Sequence, residues 1–330
     1  MRKVLLTKFL ACLALVGGLA GLVARAETFV LPPPDVDVVG GVRVVYSKYE
    51  DTIMDIARRY GLGYDQIVKA NPSVDRWIPG EGTPIVLPSR YVLPNAPRDG
   101  LVLNVSEMRI YYYPKPEPGQ KPVVITYPVS IGRMDWKTPL GKTSVIDKKK
   151  DPPWYPPASV KAEHARDGDD LPDMIPGGSP DNPLGRHALY LGIPGYRIHG
   201  TDERKSFGIG MRVTHGCVRL YPENIEQLYN IVPVGTPVYI VDQPVKAGWL
   251  ADTLFLEVHA PLAEDELPIK ITVPEALKVV KARAKPGMPV DMEAIELVVE
   301  QGSGIPVPVA RAVEQAGTEP AAMPASAQNY

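Results

Sequence analysis

The chain has 330 residues with 36 basic and 38 acidic side chains, and a formal charge of −2 leaves no basic footprint for nucleic acid. That length accommodates two or three domains. The 37 prolines, more than double the usual share, argue for short strands, fixed turns and few long helices.

The first 26 residues have the three parts of a secretory leader. Arg2, Lys3 and Lys8 form a basic start, Phe9 to Val23 is an apolar run holding Cys12, and Ala24-Arg25-Ala26 offers a cleavage site. The run is short and broken by Gly17, Gly18 and Gly21, which favours cleavage over retention as a membrane anchor. The expectation is an exported mature chain beginning at Glu27 that does not span a membrane. Without the leader the balance becomes 32 basic to 38 acidic side chains, and Cys217 is the one cysteine left. A lone thiol in an exported protein is inert, pairs with another chain, or reacts.

Residues 42–90 read as a small β-α-α-β unit. Val42 to Tyr46 is a short strand. Asp51-Thr52 caps a helix with the apolar face Ile53, Ile56, Ala57 and Tyr60, closed by Gly61. A second helix carries Tyr64, Ile67 and Val68 and stops at Asn71-Pro72, and Pro84 to Pro88 is the returning strand. This order, with its Ala70-Asn71-Pro72 and Ile85-x-Leu87-Pro88 segments, resembles a LysM module. The resemblance implies binding to the N-acetylglucosamine backbone of peptidoglycan or chitin.

Residues 99–241 read as a mainly β domain, sandwich- or barrel-like, with one clear helix from Glu223 to Ile231. Its strands begin with a hairpin, Leu101 to Val105 and Met108 to Tyr113, in which Tyr111-Tyr112-Tyr113 is expected to alternate between core and surface. Lys148-Lys149-Lys150 reads as a solvated strand end. Residues 151–185 hold eight prolines and show neither period. Their apolar side chains suit a partly ordered lid, or a loop wrapping the sheet. Residues 246–311 form an α+β extension with a strand over Leu254 to Val258 and a helix near Glu275 to Ala284. Residues 312–330 have a disordered composition. His164 reads as exposed, His187 as satisfying a strand end, and His259 as structural or surface.

Cys217 lies in Thr214-His215-Gly216-Cys217-Val218-Arg219, eighteen residues after His199 in Ile198-His199-Gly200-Thr201. A nucleophilic thiol needs small neighbours and a base, and this segment offers glycine and two histidines. His199 is the candidate base and an imidazole that takes the thiol proton gives a thiolate–imidazolium pair. Backbone N–H groups around Gly216 and Cys217 are candidates for an oxyanion hole.

The pattern of His199, fourteen residues, then Thr-His-Gly-Cys resembles the L,D-transpeptidases with a YkuD-type catalytic domain. Ile131-Gly132, Thr138-Pro139-Leu140-Gly141, Asn182-Pro183-Leu184-Gly185 and Gly235-Thr236-Pro237-Val238 add to the likeness, as does the order of LysM, catalytic domain and extension. The resemblance implies a periplasmic enzyme of the Gram-negative subgroup that needs no cofactor. It implies Cys217 as nucleophile, His199 as base and the Gly200 carbonyl as the group orienting that base. His215 and Arg219 would contact substrate, with packing an equal alternative for Arg219. The thiolate would attack the L-centre carbonyl of a diamino acid in a tetrapeptide stem and release D-Ala. The acyl group would pass to a stem amine as a 3→3 cross-link, to a lysine of an outer-membrane lipoprotein, or to water, as in an L,D-carboxypeptidase. Two rivals come from other classes. One is a zinc site from His199, His215 and Cys217, with no H-E-x-x-H or second cysteine to support it. The other is a non-catalytic wall-binding scaffold with a buried thiol.

Overall fold

The computed structural model describes residues 26–133, 136–260 and 270–312. The leader expected over 1–26 and the tail over 312–330 therefore lie, except for Ala26 and Ala312, outside the described residues. No described helix is long and apolar enough to cross a membrane.

The chain enters as a strand the sequence did not announce, β1 (Glu27–Val30), and then builds the small module. Strands β2 (Val38–Tyr46) and β3 (Pro84–Val92) pair antiparallel along their whole length around helices α1 (Ile53–Arg59) and α2 (Tyr64–Ala70). Thr52 and Asp55 close a reciprocal capping box on α1, and Gly61 leaves it at φ 65°. Ile53, Ile56, Ala57, Leu62, Ile67, Ile85 and Leu87 form the module's own core.

The central domain is a nine-stranded open sheet that curls. Its strands are β4 (Gly100–Asn104), β5 (Arg109–Tyr113), β6 (Val123–Pro128), β8 (Gly141–Lys150), β9 (His187–Leu191), β10 (Arg197–His199), β12 (Val218–Arg219) and β13 (Pro237–Val241), with β1 at one edge. The order is β1-β6-β5-β4-β13-β8-β9-β10-β12. A separate two-stranded ladder joins β7 (Ile131–Gly132) to β11 (Arg212–Thr214) in parallel. Helix α3 (Ala158–Arg166) and helix α4 (Pro222–Ile231) complete the unit. The concave face buries Leu101, Ile110, Tyr127, Val145, Leu189, Ile198 and Val218 against Ile225 and Leu228 of α4. The curl brings the two ends of one sheet onto one core, the barrel-like form of the expected class.

Two expectations change. Tyr111, Tyr112 and Tyr113 are all buried, because both faces of this sheet are covered. Tyr112 joins the main core, while Tyr111 and Tyr113 pack with Val39 and Tyr91 of the β2–β3 ladder and with Leu93 just beyond it. Lys148 is not simply a solvated strand end. Its ammonium donates to the carbonyls of Tyr229 (2.5 Å) and Val232 (2.8 Å), satisfying the C-terminus of α4.

The extension is a three-stranded sheet of β14 (Val245–Leu250), β15 (Thr253–Val258) and β16 (Val307–Arg311). Helices α5 (Val273–Arg283) and α6 (Met292–Gln301) are packed on one face. On the other face Phe255 meets Val38 and Val92. A buried ion cluster seals the junction. Lys246 Nζ lies 2.8 Å from Glu107 and 2.8 Å from Glu257 and donates to Val92 O at 2.6 Å. Glu257 accepts from the Val92 N–H at 2.6 Å and meets His259 Nε2 at 2.6 Å, so His259 is structural. Glu107, Glu257 and His259 are close enough to share an ion, but the Lys246 ammonium already supplies that positive charge.

Candidate active site

Alternation along β10 and β12 builds the site. The two strands run parallel, pairing Ile198 with Val218 and His199 with Arg219. Ile198 and Val218 point into the core at 0% and 2% exposure. The period of two therefore sends Arg197, His199 and Arg219 to the opposite face, and Cys217 stands in the turn that leads into β12. The sequence separation of His199 and Cys217 thus becomes strand adjacency.

The turn before Cys217 is held from three sides. Gly216 adopts φ 99°, and a Cβ there would stand 3.0 Å from the Tyr196 ring. Thr214 Oγ1 donates to Cys217 O at 2.6 Å, and Thr138 Oγ1 donates to Gly216 O at 2.9 Å. Gly200 is equally confined, since a Cβ would meet Ile225 Cγ2 at 2.9 Å.

His199 is buried, and its Nδ1 lies 2.6 Å from Gly200 O. A carbonyl only accepts, so Nδ1 carries the proton and the lone pair is on Nε2. The carbonyl expected to orient the base is in place. Burial, aided by the Arg219 charge, pushes the imidazole pKa down to about 3. The Cys217 thiol donates to Gly195 O at 3.7 Å. Burial raises its pKa above the ordinary thiol value, against the opposing charges of Arg197 and Arg219. Both directions favour the neutral thiol and imidazole over the thiolate–imidazolium pair.

The remaining expected residues divide. Arg219 is drawn below its usual pKa by burial and held up by Asp202, and it sits on the site face beside His199. His215 turns to the lid: its Nε2 is 2.8 Å from Glu163 of α3, and its ring meets Trp136 edge-on at 5.2 Å. Glu163 also binds Arg133 at 2.5 Å, and Arg133 followed by His215 holds its carboxyl down to about 2. His199, His215 and Cys217 thus face three different partners, and the zinc arrangement is not formed. His187 begins β9 with its ring against Tyr229 at 4.7 Å, and His164 faces Asp169 at 2.9 Å, half exposed.

Residues 151–185 are ordered, and contain the helix α3 that their sequence concealed. The Trp154 and Ile175 backbones exchange hydrogen bonds of 2.9 and 2.8 Å, and buried Asn182 donates to Pro152 O at 2.8 Å. The segment covers the nucleophile motif through the Glu163–His215 contact. Sequence reasoning missed Glu163, Arg133 and Trp136, which only the fold brings to His215. It also missed Arg197, which period-two spacing from His199 could have revealed.

The module has a second exposed feature. Tyr49, Trp77 and Ile78 are 83%, 65% and 78% exposed. Their loops touch: Gly82 N–H donates to Ser47 O at 2.9 Å and Ile53 N–H to Arg76 O at 2.9 Å. Asp75 accepts from the N–H groups of Trp77 and Ile78, both at 2.8 Å, and fixes that loop.

The chain matches the family model of the L,D-transpeptidase catalytic domain, YkuD, over residues 98–240. It is 38% identical over 300 residues to the probable L,D-transpeptidase YcfS of Escherichia coli K12, covering 88% of this chain and 90% of the relative. It is 40% identical over 290 residues to the probable L,D-transpeptidase ErfK/SrfK of Salmonella typhimurium, covering 86% and 91%. Against the probable L,D-transpeptidase YbiS of Escherichia coli K12 it is 38% identical over 317 residues, covering 93% and 99%. Cys217 and His199 lie inside the matched domain, and the chain belongs to the YkuD L,D-transpeptidase family.

Proposed function

We propose that this L,D-transpeptidase uses Cys217 as its nucleophile and His199 as its base on the tetrapeptide stems of peptidoglycan. The observation that carries this is the locked tautomer: Nδ1 of His199 is bound to Gly200 O, which leaves the Nε2 lone pair to take a proton, on a strand that pairs with the one Cys217 leads into. The thiol gives its proton to Nε2 as sulfur attacks the L-centre carbonyl, and the oxyanion is met by N–H groups around Gly216 and Cys217. The imidazolium then protonates the departing D-Ala amine, leaving a thioester. An acceptor amine attacks next, Nε2 takes its proton, and the thiol is restored. Acceptors within this chemistry are a stem side-chain amine, a lipoprotein lysine, or water.

The module at residues 42–90 supports a LysM role, with Tyr49, Trp77 and Ile78 as its sugar-facing surface, because exposed rings on a fixed loop suit stacking against pyranose faces. Secretion to the periplasm through the leader places the enzyme with this substrate. Intact-mass spectrometry after incubation with a carbapenem tests the reading. An acyl adduct on the parent and none on Cys217→Ser is expected. An unmodified, freshly reduced parent would sink it and favour the wall-binding scaffold.

A further inference from the structure

Arg197 has no part in the mechanism above, yet it lies close to Cys217. Its Nη2 donates to Gly195 O at 3.4 Å, the same carbonyl that receives the Cys217 thiol at 3.7 Å. The guanidinium therefore lies no farther from sulfur than those two distances combined. Its Cζ lies 5.3 Å from the centroid of the Tyr190 ring, and the Lys149 ammonium also sits 5.2 Å from that ring. Other arginines are already engaged. Arg58, Arg133 and Arg186 each hold a carboxylate, and Arg219 is buried under the influence of Asp202. Arg197 forms no ion pair among the described residues, and its Nε is buried without a partner. A fixed guanidinium beside a nucleophile, with no anion of its own, is a site for a substrate anion.

We propose that Arg197 recognises the free α-carboxylate of the departing D-residue, and so restricts the acyl donor to stems ending one residue beyond the scissile bond. The inference rests on the transpeptidase reading of Cys217. The length of the peptide link supplies the geometry. Three bonds join the scissile carbonyl carbon to the next carboxyl carbon, about 4.3 Å of contour, and attack begins about 3–3.5 Å from sulfur. The carboxyl carbon then lies no more than about 8 Å from the sulfur, a range that includes the Arg197 guanidinium. Arg219 is a poorer candidate, being buried with Asp202 nearby, and Lys149 is held at the Tyr190 ring rather than beside the sulfur. The guanidinium would also neutralise an anion that otherwise opposes the developing thiolate. When the D-residue leaves, its carboxylate leaves with it.

The test compares two donors, a tetrapeptide with a free C-terminus and the same peptide as its C-terminal amide. The parent should prefer the acid by about 30- to 100-fold in kcat/KM, the size of a charge-assisted contact. Arg197→Met should bring that preference toward unity, mostly through KM for the acid, and Arg197→Lys should recover part of it. The amide donor doubles as the check on folding, since a misfolded variant loses both rates. An acid preference that survives in Arg197→Met, or an equal loss on both donors with the carbapenem adduct intact, would overturn the proposal. Absence of the adduct and of turnover in the parent would instead overturn the transpeptidase reading.

Discussion

Replacing His199 by alanine tests the resting state of the pair. With the imidazole pKa near 3 and the thiol above its ordinary value, the parent carries its proton on sulfur at neutral pH. The reactive form is then the neutral pair, with Nε2 taking the proton as attack proceeds. In His199→Ala the thiol must ionise before it attacks. An ordinary thiol is only about 3% ionised at pH 7, and burial makes Cys217 less so. The loss at pH 7 is thus at least about 30-fold, or about 2 kcal/mol, and general-base catalysis extends the range to about 10⁴-fold. Its pH dependence is the sharper signature. The variant should gain about tenfold per pH unit up to the thiol pKa, so the gap to the parent narrows as pH rises. The parent should stay flat on the acid side, because protonation of His199 lies near pH 3. The assay is the rate of Cys217 acylation by a carbapenem between pH 5 and 10. An acid limb near pH 6.5 in the parent, or a pH-independent ratio between the two proteins, would refute the neutral-pair argument.

Glu163→Gln removes the carboxylate that joins α3 to Arg133 and His215. Trypsin should cut at Lys161 or Arg166 about two- to fivefold faster, as expected for exposed ion pairs, and an unchanged rate would show that the lid is held by its other contacts. Lys246→Met leaves Glu107 and Glu257 as buried like charges. It should destabilise the extension by about 3–5 kcal/mol in urea unfolding followed by Trp249 fluorescence. That penalty should shrink at lower pH as the stranded carboxylates take up protons, and the triple change with Glu107→Gln and Glu257→Gln should recover most of it. Trp77→Ala together with Tyr49→Ala should weaken retention on insoluble peptidoglycan by about tenfold while leaving carbapenem acylation of Cys217 as in the parent.

Local signals were legible and long-range ones were not. The capping pair Thr52 and Asp55, the apolar spacing of Ile53, Ile56 and Ala57, and Pro222 at the start of α4 act within a few residues, so the sequence exposes them. Cys217 and His199 stood out for another reason, since the expected export and the cysteine count together single out one thiol. What stayed hidden depends on the curl of the sheet. Tyr111 and Tyr113 look half exposed until the β2–β3 ladder covers their face. Glu163 is one carboxylate among many until α3 folds over His215, and α3 itself lies in a proline-rich stretch that masks any period. The ionisation state of the pair was also hidden, because proximity predicts an ion pair and only burial shows that neutral forms are favoured.

The interlock of the three units bears on how wall binding and catalysis cooperate. The module rests its backbone on the segment that links His199 to Cys217. Tyr64 N–H donates to Ile209 O at 2.8 Å and Asp65 N–H to Gly210 O at 3.3 Å. A Cβ on Gly63 would stand 2.9 Å from Gly210 Cα, so glycine is what permits this approach. Arg58 binds Glu203 at 2.9 Å and Glu223 at 2.7 Å. Fully buried Arg109 reaches from β5 to Gly61 O at 3.2 Å and Gln66 at 2.6 Å. Buried charge bound across a junction resists separation, because parting it would strand the guanidinium without partners. The module therefore does not swing on a tether, and a glycan held at Trp77 would have a set position relative to Cys217. If the module binds sugar as proposed, binding would raise the local concentration of stems whose reach matches that separation, without altering the chemistry at sulfur. Losing the module's rings should accordingly lower the efficiency of acyl transfer on intact sacculi and leave short soluble donors unaffected.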